Sequence, residues 1–332
     1  MTHAIPCRAL IAAAGGLAGL PVGAQTSAQD PEALSRQPVR LTVTAAAGGS
    51  TDVVARIVAP GMSGALGGRP VLVENRGGGG GVIGAEAVAS APPDGTALGF
   101  FTITAAVLNP LLHRSMRFDT RRAFAPVSLV ITMPMVLTVG KHVPARSLPE
   151  LVALMRERPG RLTYGSSGPG SINHLGAVML NGRTGTRAEH VPFRGAGPVF
   201  ASMMAGQTDF LVEGIASQLP FAQQGSIRAL AVTSTARSPL LPDVPTVVEQ
   251  GVPGFEILNW MGVFAPAATP APVVAKLEDA VRAAVADPAI NRRLREAGVE
   301  PVGSTAADLR RFWDAQFELW GPVVASSGVS LD

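Results

Sequence analysis

From residue 39 onward, short apolar runs rich in β-branched residues alternate with amphipathic runs, and a glycine-rich turn joins most of the first kind to the second. That rhythm leaves few options. Parallel strands need a crossover that a helix supplies, so repeated strand, glycine turn and helix predict an α/β fold whose mostly parallel sheets are flanked by helices. The strand-like run 39–46 feeds the turn 47–52, and the run 96–104 ends in Thr102, Thr104 and Ala105. Further on, 162–166 feeds a polar loop, 189–193 feeds the turn 194–197, and 208–213 ends at Glu213. Two runs break the pattern: 127–139 is long for one strand and carries Pro134, and 255–265 is long and carries Trp260. Both read as strands crossing between two lobes, 38–130 with 258–332 and 131–257. Pro60 is expected to kink or end the first helix. Trp313 and Trp320 stand seven apart in the last helical run, the spacing of core residues.

The loop between the fourth and fifth runs is the most polar of the turns. Ser166, Ser167 and Ser171 bring hydroxyls, Gly168 and Gly170 leave backbone N–H groups unshielded, and Ser171 is a natural N-cap for a helix reaching about residue 181, before Gly182. Hydroxyls and N–H groups at a helix start form an anion seat. Gly48 and Gly49 do the same before the first helix, with Ser50 and Thr51 behind them. Asp52 lies in that first turn, where a carboxylate either steadies the helix start or touches a ligand. His174 likewise either meets the ligand or packs on its own loop.

Composition removes several function classes. Residues 1–24 read as a secretory signal peptide: Arg8, an apolar stretch 9–20, and small residues at 22–24, with cleavage after about Ala24. Residues 25–37 read as a disordered lead-in. The single cysteine, Cys7, lies inside the signal, which leaves no thiol for a disulfide, metal site or covalent mechanism. Losing Arg8 lowers the formal charge from +3 to +2, and the arginines are scattered, so nucleic-acid binding is not expected. The histidines have no metal-ligand spacing, and neither a metal nor a cofactor is expected. Gly79, Gly81 and Gly84 formally match a dinucleotide fingerprint, yet the acidic residue due about 20 positions later is missing.

Several separated runs, among them AAGGSTDVVAR (46–56), YGSSGPGSINHL (164–175), HVPFRGAGP (190–198) and APAATPAPVVAKL (265–277), resemble the Bug family of extracytoplasmic solute receptors of tripartite tricarboxylate transporters. The resemblance spans nearly the whole mature chain in order. It implies a two-lobed periplasmic binding protein of the type II, Venus flytrap kind, monomeric and without catalytic residues. A small carboxylated solute would lie between the lobes, and membrane permease subunits would receive it. The family pattern implies ligand contacts from Gly48, Gly49, Ser50, Thr51, Asp52, Thr102, Thr104 and Ala105 on the first lobe. From the second it implies Ser166, Ser167, Gly168, Gly170, Ser171, His174, Gly195, Ala196, Gly197 and Glu213. Ala46 and Ala47 stand where the family carries proline, and Glu213 where aspartate is common. The competing reading is an exported serine hydrolase using Ser166 or Ser167 with His174 or His190, for which no acid orienting the histidine is apparent.

Overall fold

The computed structural model describes Met1 and residues 37–331 except 114, 115, 194 and 195. The first stretch runs β1 (Val39–Val43), α1 (Ser50–Ala65), β2 (Val71–Asn75), α2 (Val82–Ala89), β3 (Ala97–Thr102), α3 (Asn109–Leu112) and α4 (Thr120–Ala123), with a π-turn at Thr104–Leu108. Next come β4 (Phe124–Gly140), α5 (Leu148–Glu157), β5 (Thr163–Ser166), α6 (Ile172–Thr184), β6 (Glu189–Pro192), α7 (Ala196–Met204), β7 (Phe210–Gly214), α8 (Ile215–Gln223) and β8 (Ile227–Val232). The chain then forms β9 (Leu258–Pro266), α9 (Ala271–Ala286), α10 (Pro288–Glu296), β10 (Glu300–Pro301) and α11 (Ala306–Ser327).

Strand order is β2-β1-β3-β9-β4-β7-β5-β6, with β8 and β10 also paired to β4. The expected parallel pairs are present: β1 with β2 and β3, and β5 with β6 and β7. Among the described residues, each antiparallel pair includes β4 or β9. β4 serves both strand sets. Its residues 124–134 pair with β9, and its residues 135–140 pair with β7 and β8, so the ladder is continuous through this one strand. β9 itself stays in the first set; the return passage lies just before it, at Ile257. There Thr233 joins three segments, since its N–H donates to Met135 O (2.9 Å), its hydroxyl donates to Ile257 O (2.5 Å), and its carbonyl accepts from Ile257 N–H (3.1 Å).

Two helices depart from the sequence expectation. α1 runs through the exposed Pro60 to Ala65, and the turn beyond the proline is held by buried Met62 and by the close packing of Gly61 on Ala284 of α9 and Ile290 of α10. α6 continues past Gly182 to Thr184 and ends at Gly185, which adopts the left-handed conformation (φ 62°) of a helix stop. One face of the sheet carries a core cluster shared by both strand sets, including Phe101 and Phe264 from the first, Tyr164 and Leu175 from the second, and Trp313 and Trp320 of α11. α11 packs against β4, α6 and the Thr104–Leu108 turn, and the Trp313 indole N–H donates to Ala106 O at 3.0 Å. Both tryptophans are fully buried, as their spacing predicts.

Candidate functional site

The strand directions bring the carboxyl ends of β1, β2, β3, β5, β6 and β7 to the border where β4 changes partners. Thr102 at the end of β3 is level with Met261 of β9 and, through it, Ile131 of β4, whereas Gly214 at the end of β7 faces Met135. Four residues of extended chain, about 13 Å, separate these levels. The two strand sets also touch here. Gly170 takes φ +73°, a conformation that favours glycine, and a Cβ there would come within 2.8 Å of the Leu112 side chain of α3 and 3.2 Å of Leu331. Surface grooves of about 410 and 460 Å³ lie elsewhere, on α9 and beside β8, away from these strand ends.

In the first set, Gly48 takes φ +82° and its N–H donates to Asp52 Oδ2 at 2.9 Å. Asp52 is buried, and its Oδ1 lies 2.9 Å from Arg56 Nε. The Arg56 guanidinium, then the Gly48 N–H, hold this carboxyl below the usual range against the opposing effect of burial. Asp52 thus bonds within its own turn, as a carboxylate that steadies a helix start does. The N-cap of α1 is Gly49, which has no side chain to cap with, and the N–H groups of Ser50, Thr51 and Asp52 find no acceptor among the described residues. The positive end of a 16-residue helix is open at exposed Ser50. At the end of β3, Thr104 is half-buried, and Thr102 Oγ1 accepts the Ala105 N–H at 3.5 Å. The glycine run behind them is a packing device. A Cβ on Gly81 would lie 2.9 Å from Thr44 O and 3.0 Å from Ala105, and Asn109 donates to Gly80 O at 2.9 Å.

The second set is arranged differently. Ser171 caps α6 as expected, accepting the His174 N–H at 3.4 Å, and its hydroxyl donates to Gly168 O at 2.5 Å. The expected free N–H groups at the loop glycines are engaged within the loop: Gly168 N–H donates to Ser166 Oγ and Gly170 N–H to His174 Nδ1, each at 3.1 Å. These two glycines shape the turn; the N–H groups of Ile172 and Asn173 in the first turn of α6 have no acceptor among the described residues. Ser167 donates its hydroxyl (3.0 Å) and N–H (3.3 Å) to Asn173 Oδ1, and Asn173 Nδ2 donates to Glu213 Oε2 at 2.7 Å. Burial pushes the Glu213 carboxyl up, opposed by the N–H donors of Gly214 and Asn173.

His174 packs on its own loop. Its ring stacks on His190 at 3.9 Å between centroids and 8° between planes, and His190 stacks on Tyr164, its register partner in β5, at 5.1 Å. Burial, then the neighbouring His190, lowers His174 to about 4; burial lowers His190 and raises Tyr164 to about 12. Ser166 Oγ lies 2.6 Å from His190 Nε2, a spacing a hydrolase could use, but Ser166 is fully buried and no carboxylate is bonded to either histidine among the described residues. Ala196 begins α7 and Gly197 is exposed within it; Gly195 lies outside the described residues. Sequence reasoning missed Asn173, whose place at the second position of α6, one residue before His174, is the signal that could have found it.

Residues 54–329 match the family described as tripartite tricarboxylate transporter family receptor. The chain belongs to that family. It is 32% identical over 332 residues to Protein BugT of Bordetella pertussis, covering 100% of this chain and 99% of BugT. A Rhodopseudomonas palustris protein solved with adipate is 34% identical with a TM-score of 0.76, covering 89% of this chain and 98% of its own. MatC from the same organism, solved with bound malate, is 32% identical with a TM-score of 0.72, covering 87% and 99%. The receptor therefore has the α/β fold of periplasmic binding proteins, a curled, mostly parallel sheet flanked by helices.

Proposed function

We propose that this receptor holds a small carboxylated solute at the border between two lobes, 38–130 with 258–332 and 131–257, and delivers it to the permease subunits of a tripartite transporter. The observation that carries the reading is the uncapped start of α1: three N–H groups at the positive end of a helix, aimed at the strand-end border, form a seat for a carboxylate. The solutes of the adipate- and malate-bound relatives support the same class. Contacts come from Gly49, Ser50, Thr51 and Thr104 on one side and from Ser167, Ile172, Asn173 and Glu213 on the other. Residues 1–24 act as an export signal, the mature protein works in the periplasm as a monomer, and it carries out no chemistry on its solute. Among the described residues no helix is long and apolar enough to cross a membrane. A thermal-shift screen of di- and tricarboxylates, amino acids and aromatic carboxylates against the purified mature protein tests the reading. A rise in Tm with at least one carboxylate is expected; a flat response across the panel would refute it.

A further inference from the structure

The hydrogen bonds around Asn173 have a direction. Its Oδ1 accepts from Ser167 Oγ, Ser167 N–H and the His174 N–H (3.2 Å), three donors that fix the amide with oxygen on that side. Nδ2 must then face Glu213, whose Oε2 accepts it at 2.7 Å while Oε1 accepts the Gly214 N–H at 2.8 Å. The Ser167 proton is thereby committed inward. On their exposed sides, Ser167 Oγ and the ionised Glu213 carboxylate, both partly exposed, offer lone pairs only. No Lys or Arg is bonded to Glu213 among the described residues, so its charge is balanced by neutral N–H donors alone.

From this arrangement we infer that Glu213, acting directly and through Asn173 and Ser167, selects a solute that carries a hydrogen-bond donor, a hydroxyl or an ammonium, in addition to its carboxylate. The inference rests on the receptor reading above and narrows its solute class. A donor on the solute completes the lone pairs of Ser167 and Glu213, whereas a solute with only carboxylates places like charge against a carboxylate already disfavoured by burial. Sites built to hydrogen-bond a substrate hydroxyl or amine discriminate strongly against the analogue lacking it, because their own polar groups are then left unpaired. Glu213 is the chosen control point because Asn173 Nδ2 and Gly214 N–H meet different carboxylate oxygens, Oε2 and Oε1, and a glutamine in the same pose would turn its NH2 toward one of those donors.

Calorimetry on matched pairs tests the inference: succinate with malate, glutarate with glutamate, and benzoate with 4-hydroxybenzoate, each against the wild type, Glu213→Gln and Ser167→Ala. In whichever pair binds, the donor-bearing member should bind the wild type at least about tenfold more tightly. Glu213→Gln should bring the two members within about threefold, and Ser167→Ala, which leaves the Asn173–Glu213 bond in place, should narrow the ratio by a smaller factor. Equal affinity of both members for the wild type, or an unchanged ratio in both variants with unaltered Tm, overturns the inference while the receptor reading stands. Failure of every carboxylate to bind overturns both. Should Glu213→Gln fail to fold, the Ser167→Ala ratio decides.

Discussion

α1 and α6 both begin at the carboxyl end of a strand and both point their positive ends at the same border, yet they are finished in opposite ways. α1 starts at a glycine that cannot cap it, and the carboxylate in its first turn, Asp52, turns back to Gly48 and Arg56. α6 starts at a serine that caps it, inside a loop whose hydroxyls and N–H groups bond mostly to one another. The difference teaches that a polar, glycine-rich loop is not thereby a generous donor. A serine hydroxyl holds one proton, and in the central loop those protons already have destinations.

The strongest test of the contrast removes a backbone donor from α1, with Ser50→Ala as the control for the lost hydroxyl. Ser50→Pro deletes the first N–H of the helix at a position where proline is well tolerated, behind a Gly49 whose extended backbone (φ −78°, ψ 169°) suits a residue before proline. A hydrogen bond to a charged group contributes roughly 1.5 to 3 kcal/mol, so solute affinity measured by calorimetry should fall about tenfold to a hundredfold with Tm unchanged. Unaltered affinity would move the carboxylate seat to α6.

The next effect belongs to the histidine stack behind α6. The folded His174 titrates near 4 against 6.5 for the free residue, so the native state binds fewer protons than the unfolded chain between these values. Stability is fully present above about pH 6.5 and declines as pH falls toward 4, by about 1 to 2 kcal/mol after allowance for solvent screening. His174→Gln should flatten this part of the Tm profile. A wild-type Tm that holds constant from pH 7 to 4 would contradict the buried neutral stack.

Smaller again is the cap itself. Ser171→Ala should lower stability by about 1 kcal/mol in denaturant melts and weaken solute binding only slightly, since its hydroxyl bonds to Gly168 O and the His174 N–H. A large loss of affinity with no loss of stability would return Ser171 to the ligand. The least effect concerns salt. With Arg56 tied to Asp52, capture depends on neutral donors, and affinity should change less than about twofold over a roughly tenfold rise in salt concentration. A steep dependence would reveal a cationic contact.

Much of the fold is legible in the chain because glycine turns mark where each apolar run ends. The double service of β4 shows in its length and in Pro134 alone; which strands it pairs with on either side depends on contacts far away in sequence. The span of α6 is not legible for a similar reason: Gly182 reads as a stop, and the helix passes it because buried Leu180 and Thr184 hold the next turn in place. For the candidate site, the sequence marks the turns but not the destinations of their protons. Ser167 and Asn173 are six residues apart, and Glu213 forty beyond Asn173, so only the folded arrangement of β7 against α6 makes them one chain of hydrogen bonds. His190 reaches Ser166 and Tyr164 through parallel pairing of β5 with β6, a register that no local pattern announces.

The open start of α1 also bears on how such a protein can change over generations. A backbone N–H belongs to every residue type except proline, so nearly any substitution at positions 50 to 52 leaves the donors in place. Selectivity written in Ser167, Asn173 and Glu213 has no such protection, and a single codon change can rewrite it. A lineage built this way can exchange one acid for another while its ability to hold an acid at all is never at stake.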